Sequence, residues 1–116
     1  MTQALSALLA KLEAATGPSR EYDAEIARAV GWHLRDGMYG LEWIAPEGRM
    51  RGLPHFTESL DCAMTLARNQ REAMVMMSVA FHATGYREPD QPVNLWPAIR
   101  AALMESIRAR LAGQKE

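Results

Sequence analysis

Three histidines, one cysteine and a scatter of carboxylates are the residues in this chain that can do chemistry. His33, His55 and His82 join Cys62, Asp36 and Asp61 as candidate zinc ligands. A zinc site needs several of them to converge, and none shows the short paired spacing of metal-binding motifs. The histidines therefore read as ordinary surface or partly buried residues, and no metal or cofactor is expected. Nucleophilic catalysis needs Cys62 or a serine beside a positioned base. Cys62 falls three places after Ser59 in an expected helix and reads as a small packing residue. A small enzyme would require a deep polar pocket joining His55, Asp61 and Trp32.

Binding chemistry has more candidates. Gly17-Pro18-Ser19-Arg20 can present N–H groups to an anion at a helix start, although Ser19 more simply caps that helix. Arg20 and Asp23 lie three apart, as a surface pair would; a sharper alternative is a buried Arg20–Asp61 link between two helices. Trp32, Trp43 and Trp96 can line a pocket, with at least two expected in the core. Arg49, Arg51, Arg100, Arg108 and Arg110 can form a basic patch, but acids are interleaved with them.

The elements that must position these residues follow from apolar spacing. Leu5, Leu8, Leu9 and Leu12 form one helical stripe, stopped by Gly17 and Pro18. Ser19 opens a second helix with Glu21 and Asp23 in its first turn and Tyr22, Ile26, Ala29 and Val30 facing inward. Gly31 ends it, with Trp32 folding back, so an αα-hairpin is expected. Residues 33–56 are rich in glycine and proline around one β-prone run, Leu41-Glu42-Trp43-Ile44, with Arg49-Met50-Arg51 as a weak return strand. Thr57 or Ser59 caps a third helix with Leu60, Ala63, Met64 and Ala67 on its stripe.

Residues 73–83 satisfy two patterns. Ala73, Val75, Met77, Val79 and Phe81 alternate as in a strand; Ala73, Met74, Met77, Ala80 and Phe81 share one helical face. Length, Ala and Met content, and Gly85 as terminator favour helix. Residues 85–97 read as a loop, after which Asn94 caps a last helix that tolerates Pro97 in its first turn. Ile99, Ala102, Leu103, Ile107 and Leu111 face inward there, and Gly113 begins a polar tail.

Composition narrows the classes. A length of 116 residues predicts a single domain able to bury a core without disulfides. The net charge of −1 provides no global field toward nucleic acid or an anionic membrane. A single cysteine fits a reducing compartment, and no apolar run approaches a membrane span. The N-terminus lacks a basic segment, so it reads as a helix of the mature protein and not a signal peptide.

Two segments, Gly17-Pro18-Ser19-Arg20-Glu21-Tyr22-Asp23 through Trp32, and Pro54-His55-Phe56-Thr57-Glu58-Ser59-Leu60-Asp61 through Leu66, together resemble the phage ABA sandwich domain family. An Ala- and Leu-rich helix over residues 96–110 fits more loosely. Arg20, Asp23 and Trp32 match the first motif; Pro54, Thr57, Ser59 and Asp61 match the second. The resemblance implies a small α-β-α layered phage or prophage domain with no assigned catalytic residues. The chain departs from the family after the second motif, where the family has strands and residues 67–84 read at least as helical.

The resulting expectation is a helix-dominated α+β domain, four to five helices packed on a short strand or hairpin. It acts without catalysis in the host cytoplasm, through contact with a host or defence factor or with itself. The alternative is a small nucleic-acid-associated module using the arginines. Arg49, Met50, Arg51, His55 and Met74 are the candidate binding residues; eight methionines against two phenylalanines suit an adaptable contact surface.

Overall fold

Helix α5 (Trp96–Gln114) gathers the fold around itself. In the computed structural model, which describes residues 2–38, 40–84 and 95–114, Ala98, Ile99, Ala102, Leu103, Met104 and Ile107 of α5 are all buried. Helix α1 (Thr2–Ala14) lays its buried stripe of Leu5, Leu8 and Leu12 against it. Pro97 sits in the first turn of α5, where a missing N–H costs nothing. The helix runs on through Gly113, beyond the point where the sequence suggested a polar tail. Asn94, the expected cap, lies outside the described residues.

Helix α2 (Arg20–Ala29) starts as its capping residue dictates: the Glu21 N–H donates to Ser19 Oγ at 3.2 Å. Its inward face is rotated from the expected one. Asp23, Ile26 and Ala27 are buried, whereas Tyr22, Ala29 and Val30 are half-buried. The helix ends in a Schellman motif. Trp32 N–H donates to the Ala27 carbonyl at 2.9 Å and Gly31 N–H to that of Arg28 at 3.4 Å. Gly31 has φ +109°, and a Cβ there would meet Pro46 Cγ at 3.4 Å, an ordinary contact. The penalty for a side chain is therefore conformational. Gly31→Ala is expected to lower stability by about 1–2 kcal/mol, read as a reduced urea midpoint at unchanged slope.

The sequence reading missed a strand. Strand β1 (His33–Gly37) pairs antiparallel with β2 (Gly40–Ile44), from His33↔Ile44 to Gly37↔Gly40. Its residues, His-Leu-Arg-Asp-Gly, include none of the β-branched or aromatic types that advertise a strand. The expected return strand at residues 49–51 shrinks to one bridge, Ile44↔Met50. Two backbone bonds flank it, Ala45 N–H to the Arg49 carbonyl at 2.8 Å and Arg51 N–H to that of Trp43 at 3.1 Å.

Helix α3 (Leu60–Met64) is a single short turn capped by Ser59, whose Oγ accepts from the Cys62 N–H at 3.3 Å. Thr65, Leu66 and Ala67 continue it only as i→i+3 turns. Helix α4 (Gln70–Thr84) settles the ambiguous segment as helix. Asn69 begins it, accepting from the Glu72 N–H at 2.8 Å. Its apolar residues divide between two sides. Glu72, Met76 and Ala80, spaced by four, are buried, while Met74, Met77 and Phe81 point outward.

These elements make a helix-dominated α+β domain. Helices α1, α3 and α4 each pack on α5, and α2 packs on α1. The hairpin lies beside α2, where the Arg28 guanidinium sits 5.5 Å over the Trp43 ring. The position that a sheet holds in an α-β-α sandwich is thus taken by α5. Among the described residues no helix is long and apolar enough to cross a membrane.

Candidate functional site

The two resembling segments meet at one buried carboxylate. Asp23 and Thr57 are both fully buried. Asp23 Oδ1 accepts from the Thr57 N–H and from its hydroxyl, each at 2.8 Å. The same hydroxyl accepts from the Ser19 N–H at 2.9 Å and has the Ser19 carbonyl at 3.1 Å as a second acceptor within reach. Arg20 completes the group. It donates to Asp23 Oδ2 at 2.9 Å and to the carbonyls of Pro54 and Leu53 at 3.1 and 3.0 Å. The proposed Arg20–Asp61 link is therefore replaced: Asp23 takes the guanidinium, and Asp61 stays exposed at the start of α3. This clasp holds α2 to the segment before α3. Its polar groups are saturated with one another, an arrangement suited to fixing structure.

A second polar cluster lies where α4 meets α5. Glu72 is nine-tenths buried, and its Oε2 accepts from Arg68 Nε at 3.0 Å. Its Oε1 lies 3.8 Å from Arg110 Nη1 without a hydrogen bond. Arg110 instead donates to Ser106 Oγ at 2.6 Å and to the Leu66 carbonyl at 3.3 Å. Burial, and then the charge of Arg68, push the Arg110 guanidinium below its ordinary pKa. Arg110 also lines a cavity of about 360 Å³ with Trp32, Arg51, Cys62, Thr65 and Leu66.

The candidate binding residues separate into two regions. Arg49, Met50 and Arg51 are exposed beside the hairpin base. Arg51 donates to Glu47 at 3.1 Å, and the Glu47 carboxyl is held below its usual range by its own backbone amide and then by Arg51. His55 is exposed, with Nδ1 3.3 Å from Glu58. Met74 belongs to α4. There Met74, Met77 and Phe81 are 66%, 49% and 76% exposed and form one stripe with Gln70, Ala73 and Ser78.

No protein-family model, curated protein or solved structure matches the chain.

The remaining chemical candidates disperse. His33 and His82 are exposed, on β1 and α4, and Cys62 is half-buried against the core. Among the described residues no three His, Cys, Asp or Glu side chains are grouped to hold a metal ion. The cavity that contains Trp32 takes in neither His55 nor Asp61. Trp32 is buried, and Trp43 and Trp96 are half-buried against the core in different places. The five arginines are not gathered in one patch: Arg51 and Arg110 line a common cavity, which Arg100 and Arg108 do not line. Arg51 pairs with Glu47 and Arg108 with Glu105, while Arg100 donates to the Glu13 carbonyl. Sequence reasoning missed Glu72 and named Arg110 only as a member of a basic patch, not as a buried partner. The four-residue spacing from Arg68 to Glu72 was a visible signal; Arg110, next to Leu111 of the inward stripe, carried no signal of its burial.

Proposed function

We propose that the protein works without catalysis, through protein–protein contact, and that the stripe Met74-Met77-Phe81 on α4 is its contact surface. The observation that carries this reading is the exposure of three large apolar side chains at i, i+3 and i+7 on one helix. That is the seam spacing of paired helices, and exposed apolar stripes mark interaction sites.

The occupant we assign is the same stripe of a second copy. Among the described residues none that lines the stripe carries a charge, and an uncharged surface is what complements it. An antiparallel two-fold pairing sets Phe81 against the partner's Met74 and brings the two Met77 side chains together at the centre. Methionine sulfur against an aromatic ring is a favourable contact. The stripe spans twelve residues from Gln70 to Phe81, about 16 Å of helix. A seam of that length makes a weak, reversible dimer. The pairing of Arg51 and Arg108 with carboxylates supports protein contact over nucleic acid. The resemblance of the clasp segments to the phage family is the support for a phage-encoded setting.

Sedimentation velocity tests the reading. The wild-type chain is expected to shift from monomer to dimer with a Kd of about 10–100 µM. Met77→Glu is expected to remain monomeric at every concentration, with unfolding stability changed by less than about 0.5 kcal/mol. A wild-type chain that stays monomeric at millimolar concentration would overturn the assignment.

A further inference from the structure

The cavity beside α3 has a composition that the contact surface on α4 does not explain. It is bounded by the C-terminal end of α2, the turn at Pro46–Gly52, α3 with its trailing turns, and Arg110 of α5. Its volume, about 360 Å³, lies within the range of small-molecule sites. Trp32, Phe56 and Leu66 give it an apolar wall, while Arg51 and Arg110 bring donors to the same space.

Charge decides what it would take. Glu47 also lines the cavity, but it is paired with Arg51 at 3.1 Å, so those two cancel. Arg110 has no carboxylate to itself. It shares Glu72 with Arg68, which holds the nearer contact, 3.0 Å against 3.8 Å. Two guanidinium groups around one carboxylate leave one positive charge over. Arg110 is the more buried of the two, its side chain 15% exposed against 50% for Arg68. Bulk water screens it less, so a counter-ion there is worth more than at the surface. Its fork makes two hydrogen bonds, to Ser106 and Leu66, of the five N–H groups a guanidinium carries. A carboxylate is the group that geometry fits.

We infer that this cavity binds a small organic anion, a monocarboxylate whose apolar body rests against Trp32 and Leu66 and whose carboxylate meets Arg110, with Arg51 at the mouth. The site is separate from the α4 stripe: the two share no lining residue among the described residues.

Titration of the ¹⁵N-labelled full chain with benzoate, followed by NMR, tests this. Benzoate is expected to move the Trp32 indole N–H and the Cys62 and Thr65 amides to saturation, with a Kd of about 1 mM or below. Benzylamine, equal in shape and opposite in charge, is expected to leave them in place. Arg51→Gln, at an exposed position, is expected to weaken benzoate about three- to fivefold. Arg110→Met is expected to abolish saturation while circular dichroism shows a folded chain; if that variant unfolds, Arg51→Gln carries the test. Met77→Glu is expected to bind benzoate as wild type does, which separates this site from the dimer seam. Shifts that do not saturate, an equal response to benzylamine, or unaltered affinity in Arg51→Gln would each overturn the assignment.

Discussion

Asp23→Ala is expected to remove about 3–5 kcal/mol of folding free energy, a large share of the 5–15 kcal/mol typical of a domain. The estimate rests on what is left behind. Thr57 would keep a buried N–H with no acceptor, while its hydroxyl would retain only the longer contact to the Ser19 carbonyl. Arg20 contributes less to the loss, because its side chain is 46% exposed and can turn to water. Asp23→Asn retains one acceptor and is expected to cost about 1–2 kcal/mol. Urea unfolding measures both. A double-mutant cycle with Thr57→Val is expected to show coupling of at least about 1 kcal/mol. Asp61→Ala, at an exposed position of the same second segment, is expected to stay within about 0.5 kcal/mol of wild type. Equal losses at Asp23 and Asp61 would refute the clasp.

Phe56→Ala is expected to cost about 3–5 kcal/mol by cavity formation. Phe56 is the largest of the fully buried side chains, yet it sits outside every helix and strand. The segment around it has few backbone bonds of its own, so burial of this ring and the Thr57 contacts hold it in place. Urea unfolding again gives the value. A Phe56→Leu variant that restores most of the stability would identify volume as the cause. Little loss in Phe56→Ala would mean that the segment collapses onto the core without the ring.

What the sequence revealed of this fold tracks how local the deciding interaction is. Ser19, Ser59, Gly31 and Pro97 act on backbone groups within a few residues, and each terminus they mark was legible. The α1 and α5 stripes were legible because leucine and isoleucine leave little doubt about which face is apolar. Helix α4 shows the limit. Two of its faces are apolar, and the inward one, with Met76 and Ala80, is the one that packs into the core against α5, a long-range contact that no local pattern encodes. Of its exposed residues Met74 was legible as a contact candidate, and the sequence pattern puts Met77 and Phe81 on the same helical face. Strand β1 went unseen because its partner, not its own composition, makes it a strand. The Asp23–Thr57 contact spans 34 positions, and spacing alone could not select Asp23 over Asp61 as the partner of Arg20.

Because Ser19 and Asp23 fasten directly to Thr57, the intervening polypeptide is an excursion whose two feet are tied at the base. Material inserted at its tip, near the Gly37↔Gly40 pair, would enlarge a loop that is already shut. The entropy of closure grows only logarithmically, about 0.6 kcal/mol per doubling. The protein thus possesses a natural grafting point, a place where evolution or an engineer can exchange peptide cargo while the helical body keeps its shape.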